Sequence, residues 1–397
     1  MERIVVTGLG IVSALGLGIG ETCRALKEGY SGIGRLKYLQ TVHGDIPSAE
    51  VRYGDEELRQ MLGLSPEEII TRTSLLGIVA LREALKSAGF REKSGKRFSF
   101  INGTTVGGME KSEQYYLDFL TNGSMNAYIA VHECGACTER MADAIGGFQY
   151  VTTLSTACSS AANAVILGAN LLKAGMTDVA VVGGAECLTK FHLNGFRSLM
   201  ILDKEPCRPF DDTRSGLNLG EGAAYLVLER ESEALQRGGL PWCMLSGYGN
   251  ACDAFHQTAS SEDGKGAVLA MREALSMGKL EPEEIGYINA HGTGTRNNDL
   301  SEGRAITAVF GNRVPYVSST KAMTGHTTSA SGGVEAVISI LALKHRMIPA
   351  NLRFQHPMPE LLFEPVRELL QDISLRHVLS NSFGFGGNNS TLIFSEL

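Results

Sequence analysis

One pattern occurs twice in this chain and narrows the folds open to it. An apolar, β-branched run, Tyr150-Val151-Thr152-Thr153-Leu154, leads into the turn Thr156-Ala157-Cys158-Ser159-Ser160-Ala161 and then into the stretch from Ala162 to Leu172, which reads as a buried helix. Strand, Ser/Thr-rich turn and small-residue helix return in the same order from Tyr316 to Lys344. Two similar α/β halves, back to back, bring both turns to one central site. The uncharged segment from Val151 to Leu172 is long enough to cross a bilayer, but its Thr, Ser and Asn content makes a poor membrane helix, so no membrane span is expected.

A chain of 397 residues, 43% hydrophobic and 20% charged, can hold two core-bearing halves, here 1–240 and 241–397, as one compact unit. A net charge of -7 argues against a nucleic-acid partner, which needs clustered Lys and Arg. The eight cysteines form no repeating framework, and the chain opens on a strand at Ile4 rather than on a signal peptide. A cytoplasmic location with reduced thiols is expected.

Along the chain, Gly8-Leu9-Gly10 after the first strand reads as a tight turn, because a dinucleotide fingerprint would need its third glycine where Ser13 stands. Ser65-Pro66-Glu67-Glu68 predicts a helix start, with the helix running to about Ala88 and ending at Gly89. A strand near Phe98–Ile101 leads to the loop Gly103–Gly108 and a helix through Tyr115, Tyr116 and Phe119. His132, Cys134 and Cys137 offer three ligands of zinc-binding type without a fourth, so packing is expected there and no metal. The strand Val179–Val182 ends at Gly183-Gly184. From Trp242 the pattern begins again, with strands near Met244–Tyr248, Ile285–Asn289 and Val314–Ser318 alternating with helices near Lys265–Met277, Leu300–Val309 and Ser331–Lys344.

Chemistry enters at three turns. A cysteine between strand and helix meets the helix N–H groups and the positive end of its dipole, which lower a thiol's pKa and make Cys158 a nucleophile near neutral pH. A small core cysteine fits the same position, and the histidines decide between the two readings. They stand in Asn289-Ala290-His291-Gly292-Thr293-Gly294-Thr295 and Ser319-Thr320-Lys321-Ala322-Met323-Thr324-Gly325-His326. The first of these turns directly follows an apolar strand, where the loops of open α/β sheets carry function.

These three turns, with Asn381-Ser382-Phe383-Gly384-Phe385-Gly386-Gly387-Asn388-Asn389, resemble the four signature motifs of the β-ketoacyl-acyl carrier protein synthases, above all the bacterial type II elongating enzymes. The resemblance runs from Val5-Val6-Thr7-Gly8 to the final strand. It implies an α/β, thiolase-like fold of two pseudo-repeated βαβαβ-containing halves in a five-layered αβαβα arrangement, usually dimeric. Cys158 takes the place of the nucleophile, His291 and His326 those of the catalytic histidines, and Lys321 that of the motif lysine supporting the second histidine. The N–H groups of Cys158 and Phe385 would form the oxyanion hole. Val106, Phe210, Phe383 and Phe385 would belong to the acyl pocket and its gate, Val106 admitting medium or longer chains. Thr258, Thr293 and Thr295 would meet the pantetheine arm, and Arg72 and Arg214 the acyl carrier protein.

The implied reaction transfers an acyl group to Cys158, then condenses it with decarboxylated malonyl-carrier to lengthen the chain by two carbons. No cofactor of its own is implied, since the phosphopantetheine arm arrives on the carrier. Asn289 and Glu335 lie near a monovalent-cation site of some relatives. The partner subunit would be a second copy or a paralogue.

Thr328-Ser329-Ala330-Ser331-Gly332 stands where the family usually has Leu-Gly-Ala-Ala-Gly, Glu67 and Glu68 where housekeeping relatives present basic residues, and the polar segment His132–Cys137 where an apolar stretch is usual. These departures point to an aryl polyene or other polyketide-type pathway rather than housekeeping fatty acid synthesis. A non-catalytic chain-length factor would lack the cysteine, and a coenzyme-A thiolase would use a second cysteine as base where this chain has two histidines.

Overall fold

Runs of Val, Ile and Leu without charge form strands buried on both faces, which requires helices above and below the sheet. The computed structural model describes residues 2–90 and 95–397. In chain order its strands are β1 (Ile4–Ser13), β2 (Gly16–Leu17), β3 (Phe98–Gly103), β4 (Tyr150–Leu154), β5 (Val179–Glu186), β6 (Gly222–Arg230), β7 (Cys243–Cys252), β8 (Tyr287–Asn289), β9 (Tyr316–Ser318), β10 (His377–Gly384) and β11 (Asn388–Ser395). They hydrogen-bond in the order β4-β3-β5-β6-β1-β7-β11-β10-β8-β9, with the short β2 beside β1. Apart from β2, the strands before residue 240 and those after it each run third, second, fourth, fifth, first. The two sets meet where β1 and β7 pair antiparallel, Val5 opposite Met244.

The helices complete five layers. Arg72–Ser87 and Cys134–Ile145 cover the outer face of the first set, and Lys265–Gly278 and Arg296–Phe310 that of the second. Ser160–Lys173 and Ser331–His345 lie side by side between the two strand sets, inside one apolar core that both sets share. Their small residues permit this closeness: a Cβ at Gly332 would stand 2.7 Å from the Ala162 backbone nitrogen. The repeated segments are therefore the middle layer, and both turns open at the same place.

The structure corrects three local expectations. Gly8-Leu9-Gly10 is not a turn, since β1 runs through it to Ser13. The glycines serve packing: a Cβ at Gly8 or Gly10 would collide with the carbonyl oxygens of Ala84 and Ala80 on the outer helix. The helix expected from Ser65 begins at Arg72, where the Thr71 side chain accepts the Ser74 N–H. Ser65–Glu68 is instead a turn whose Ser65 and Glu68 carbonyls are held by the Arg59 guanidinium. Finally, β5 continues through Gly183-Gly184 to Glu186, whose carboxylate receives the N–H groups of Thr105 and Val106.

Candidate active site

Cys158 sits two residues before the helix Ser160–Lys173, on a turn that its hydroxyls hold. Ala157 takes the left-handed conformation, φ 51°, which costs a non-glycine residue on the order of 1 kcal/mol. Ser160 Oγ offsets that cost by donating to the Ala157 carbonyl at 2.6 Å while accepting the Thr156 N–H at 2.9 Å. Ser159 Oγ lies 2.7 Å from the Thr156 carbonyl and 2.9 Å from Asn388 Oδ1, its single proton shared between them, and links the turn to β11. The thiol is left pointing into the protein, 5% exposed.

The His291 turn hangs from the helix that follows it. Glu302 accepts the N–H groups of His291 and Gly292 at 2.8 and 2.7 Å, and Asp299 accepts those of Thr293 and Gly294. Nothing in the motif itself marks either acid, although both lie in the first two turns of the helix Arg296–Phe310 that follows it. Lys321 Nζ donates to the His291 carbonyl at 2.6 Å, faces His291 Nδ1 at 3.2 Å and pairs with Glu335. The lysine thus braces the first histidine, not directly the second.

His326 completes the centre. Its Nε2 lies 3.1 Å from Cys158 Sγ and its Nδ1 2.9 Å from Ser331 Oγ. The two imidazoles meet edge to face with centroids 5.3 Å apart, and Phe383 packs on His291. Burial, then the Lys321 ammonium, holds both histidines well below their ordinary range, so both are neutral.

Cys158 departs from the expected thiolate. Burial pushes its thiol up to about 12, outweighing the opposing pulls of Lys321 and of the Phe385 N–H that points at it. A helix start two residues away does not replace water around a buried sulfur. The free site therefore holds a thiol and two neutral imidazoles.

A cavity of about 500 Å³ opens over this group. Cys158, His291, His326, Phe383 and Phe385 form part of its wall, and Thr258, Thr293 and Thr295 line it as well. Phe196, stacked on Phe385 at 5.7 Å, and Met200 also line it; Phe196 stands on the helix Lys190–Ser198 after β5 and Met200 just beyond that helix. Arg296 lies exposed among the lining residues.

Four residues expected at the site stand elsewhere. Arg72 is buried, its guanidinium spent on Glu221 and Asp55, so it offers no docking charge. Arg214 is buried too, donating to the carbonyls of Asp211 and Arg296. Phe210 is a core residue beneath the Gly292 turn, its ring against Phe363 and its N–H on Asp299. Val106 is 2% exposed and lies outside the walls of this cavity. His132 and Cys137 bond to Ser112 and to Thr71 and Ser74, respectively.

Two family models match the chain: "Beta-ketoacyl synthase, N-terminal domain" over residues 1–234 and "Beta-ketoacyl synthase, C-terminal domain" over residues 242–355. The chain is 32% identical to a 3-oxoacyl-[acyl-carrier-protein] synthase 2 of Staphylococcus aureus, over 100% of this chain and 98% of that one. Among solved structures it is similar to a chain of the ishigamide ketosynthase/chain length factor, with 30% identity, TM-score 0.93 and coverage of 100% and 99%. It is similar also to a chain of a ketosynthase in complex with its chain length factor from Xenorhabdus doucetiae, with 32% identity, TM-score 0.85 and coverage of 100% and 98%.

Proposed function

The chain belongs to the beta-ketoacyl synthase family and has its thiolase-like fold, and from that premise we propose how its residues carry out the family's condensation. The observation that carries the reading is the meeting of one thiol and two neutral imidazoles at a single cavity, with His326 Nε2 3.1 Å from the sulfur. As an acyl thioester enters, His326 takes the Cys158 proton and the sulfur attacks the carbonyl. The N–H groups of Cys158 and Phe385 receive the oxyanion, and His326 returns the proton to the departing pantetheine thiolate, which leaves the ring neutral again.

In the second half-reaction malonyl-carrier loses carbon dioxide. The enolate oxygen that forms needs hydrogen-bond donors rather than a general base, and neutral His291 and His326 can both donate. Lys321 Nζ, facing His291 Nδ1, leaves Nε2–H as the donor on that ring. The carbanion attacks the acyl-Cys158 carbonyl, whose collapse frees the thiolate and a product longer by two carbons. Thr258, Thr293 and Thr295 line the way in for the pantetheine arm, and exposed Arg296 takes over the docking role first given to Arg72 and Arg214.

A monovalent cation fits one buried place. Asn289 Oδ1, Glu335 Oε2 and Ser380 Oγ lack hydrogen-bond partners, with Asn289 and Ser380 on paired strands and the Asn289 amide on the Glu335 carbonyl. Glu335, whose carboxyl burial raises to about 7, already pairs with Lys321 through Oε1 and would turn its free Oε2 to the ion.

The partner is an acyl carrier protein, and a second subunit, either another copy or a chain-length-factor-like paralogue, pairs along the edge strand β4. Eight unpaired cysteines fit a reducing cytoplasm. Among the described residues no helix is long and apolar enough to cross a membrane. The hydroxyl-rich stretch after His326, with similar chains in ketosynthase–chain length factor structures, favours an aryl polyene or polyketide-type acyl chain.

Two measurements test this. Intact-mass analysis after mixing with acyl-carrier should show one acyl adduct, absent from Cys158→Ala; an adduct surviving that substitution refutes the nucleophile. Aryl or polyenoyl carriers should turn over about tenfold faster than saturated ones of equal length. A preference for saturated chains would return the enzyme to housekeeping synthesis.

A further inference from the structure

His326 and the helix that begins at Ser331 are held independently, and only the four residues Thr327 to Ala330 join them. The His326 N–H donates to the Asn218 carbonyl at 2.7 Å, its carbonyl accepts the Gly220 N–H at 2.9 Å, and the helix Ser331–His345 is packed in the shared core. The connector closes through a left-handed residue, Thr328, φ 47°, a conformation that a β-branched side chain rarely adopts. Thr328 Oγ1 is also buried without a hydrogen-bond partner. Two unfavourable features on one residue persist only where the surroundings over-determine the conformation, and these lie two residues from the imidazole that faces Cys158.

Ser329 supplies the constraint. Its Oγ donates to the Glu186 carboxylate, which is itself pinned at the end of β5 by the Thr104 hydroxyl, by Thr105 through both N–H and hydroxyl, and by the Val106 N–H. Ser329 and Glu186 are fully buried, so water does not compete for the bond. Among the described residues it is the one side-chain hydrogen bond that ties the connector to the sheet. Two positions on, Ser331 Oγ lies 2.9 Å from His326 Nδ1, and Nε2 of the same ring lies 3.1 Å from Cys158 Sγ. Backbone bonds fix where the His326 side chain starts, and the group that meets Nδ1 sets where its ring points. The family usually has Gly and Ala where this chain has Ser329 and Ser331, and neither offers a hydroxyl.

We propose that Ser329 is a positioning residue: its bond to Glu186 holds the left-handed Thr328 in place, which seats Ser331 against His326 Nδ1 and aims Nε2 at Cys158. The inference rests on the functional reading above and adds to it a residue outside the cavity wall.

The test follows acyl-adduct formation on Cys158 of the full-length protein by intact mass, across a range of acyl-carrier concentrations. Ser329→Ala should lower the saturating rate about tenfold, the effect of a small misplacement of a reacting group, while the half-saturating carrier concentration stays within about twofold. Adding Thr328→Gly removes the Cβ that opposes the left-handed backbone, and the unpartnered hydroxyl with it, so the double variant should return to within about threefold of wild type. In the wild-type background the same Thr328→Gly should gain less than about twofold. A wild-type rate in Ser329→Ala, with only its melting temperature lowered, makes the hydroxyl merely structural and overturns the proposal. So does a double variant that recovers nothing, or an equal gain from Thr328→Gly in both backgrounds. If Ser329→Ala does not fold, circular dichroism should show the double variant folded, and adducts should form on it; a double variant that is also unfolded overturns the proposal. Failure of the wild type to form any adduct on Cys158 would instead refute the functional reading itself.

Discussion

At the scale of single residues, the site is built by taking groups out of water. The same burial that holds His291 and His326 neutral, and so able to donate to an enolate, holds the Cys158 thiol protonated. On the proposed reaction, the nucleophile is generated during attack by its neighbour at 3.1 Å rather than stored as a thiolate. A thiol raised to about 12 has a thiolate fraction that climbs roughly tenfold per pH unit across the neutral range. Alkylation of Cys158 by iodoacetamide, followed by intact mass, should accelerate without levelling between about pH 7 and 9. A plateau below pH 8 would mean that the thiolate is already present, as the turn alone suggests.

At the scale of elements, the pairing of glycines with outer-helix alanines recurs in both halves. Gly8 and Gly10 of β1 lie against the carbonyls of Ala84 and Ala80, and Gly247 and Gly249 of β7 lie against those of Ala274 and Ala270. The contact in each case is with backbone, which cannot swing aside as a side chain can. Gly10→Ala should cost about 2–4 kcal/mol, or prevent folding, although its conformation suits alanine. Gly20→Ala, where nothing lies nearby, should cost less than about 1 kcal/mol; urea denaturation compares the two. The spacing Gly-x-Gly is visible in the sequence but reads as a turn, because a close approach by a helix some 70 residues later leaves no local mark. The Ser65 helix start failed for a related reason: Arg59 and the Glu68–Arg140 pair hold Ser65–Glu68 in a turn, and Thr71 becomes the cap.

At the scale of the molecule, the two equivalent strand sets end on β4 and β9, leaving edges that another chain can extend. On β4, Tyr150 is 43% exposed at such an edge. Paired with the proposed subunit arrangement, this predicts that Tyr150→Asp weakens self-association at least tenfold in sedimentation equilibrium. A wild-type chain that sediments as a monomer at every concentration would point to a paralogue as its partner.

The sequence by itself determined the α/β class, the repeated strand–turn–helix unit and the three chemical turns, because these rest on local apolar period and on motifs a few residues long. Cys158, His291 and His326 were legible in that way. Tertiary structure alone decided what surrounds them: that Lys321 braces His291, that Glu302 and Asp299 carry its turn, that Phe196 and Met200 line the cavity, and that Arg72, Arg214 and Phe210 are buried away from it. Charge and polarity can be read from a chain, but desolvation depends on what packs around a group. That is why the thiol expected to be ionised is held neutral, and why a hydroxyl five residues after His326 becomes its partner.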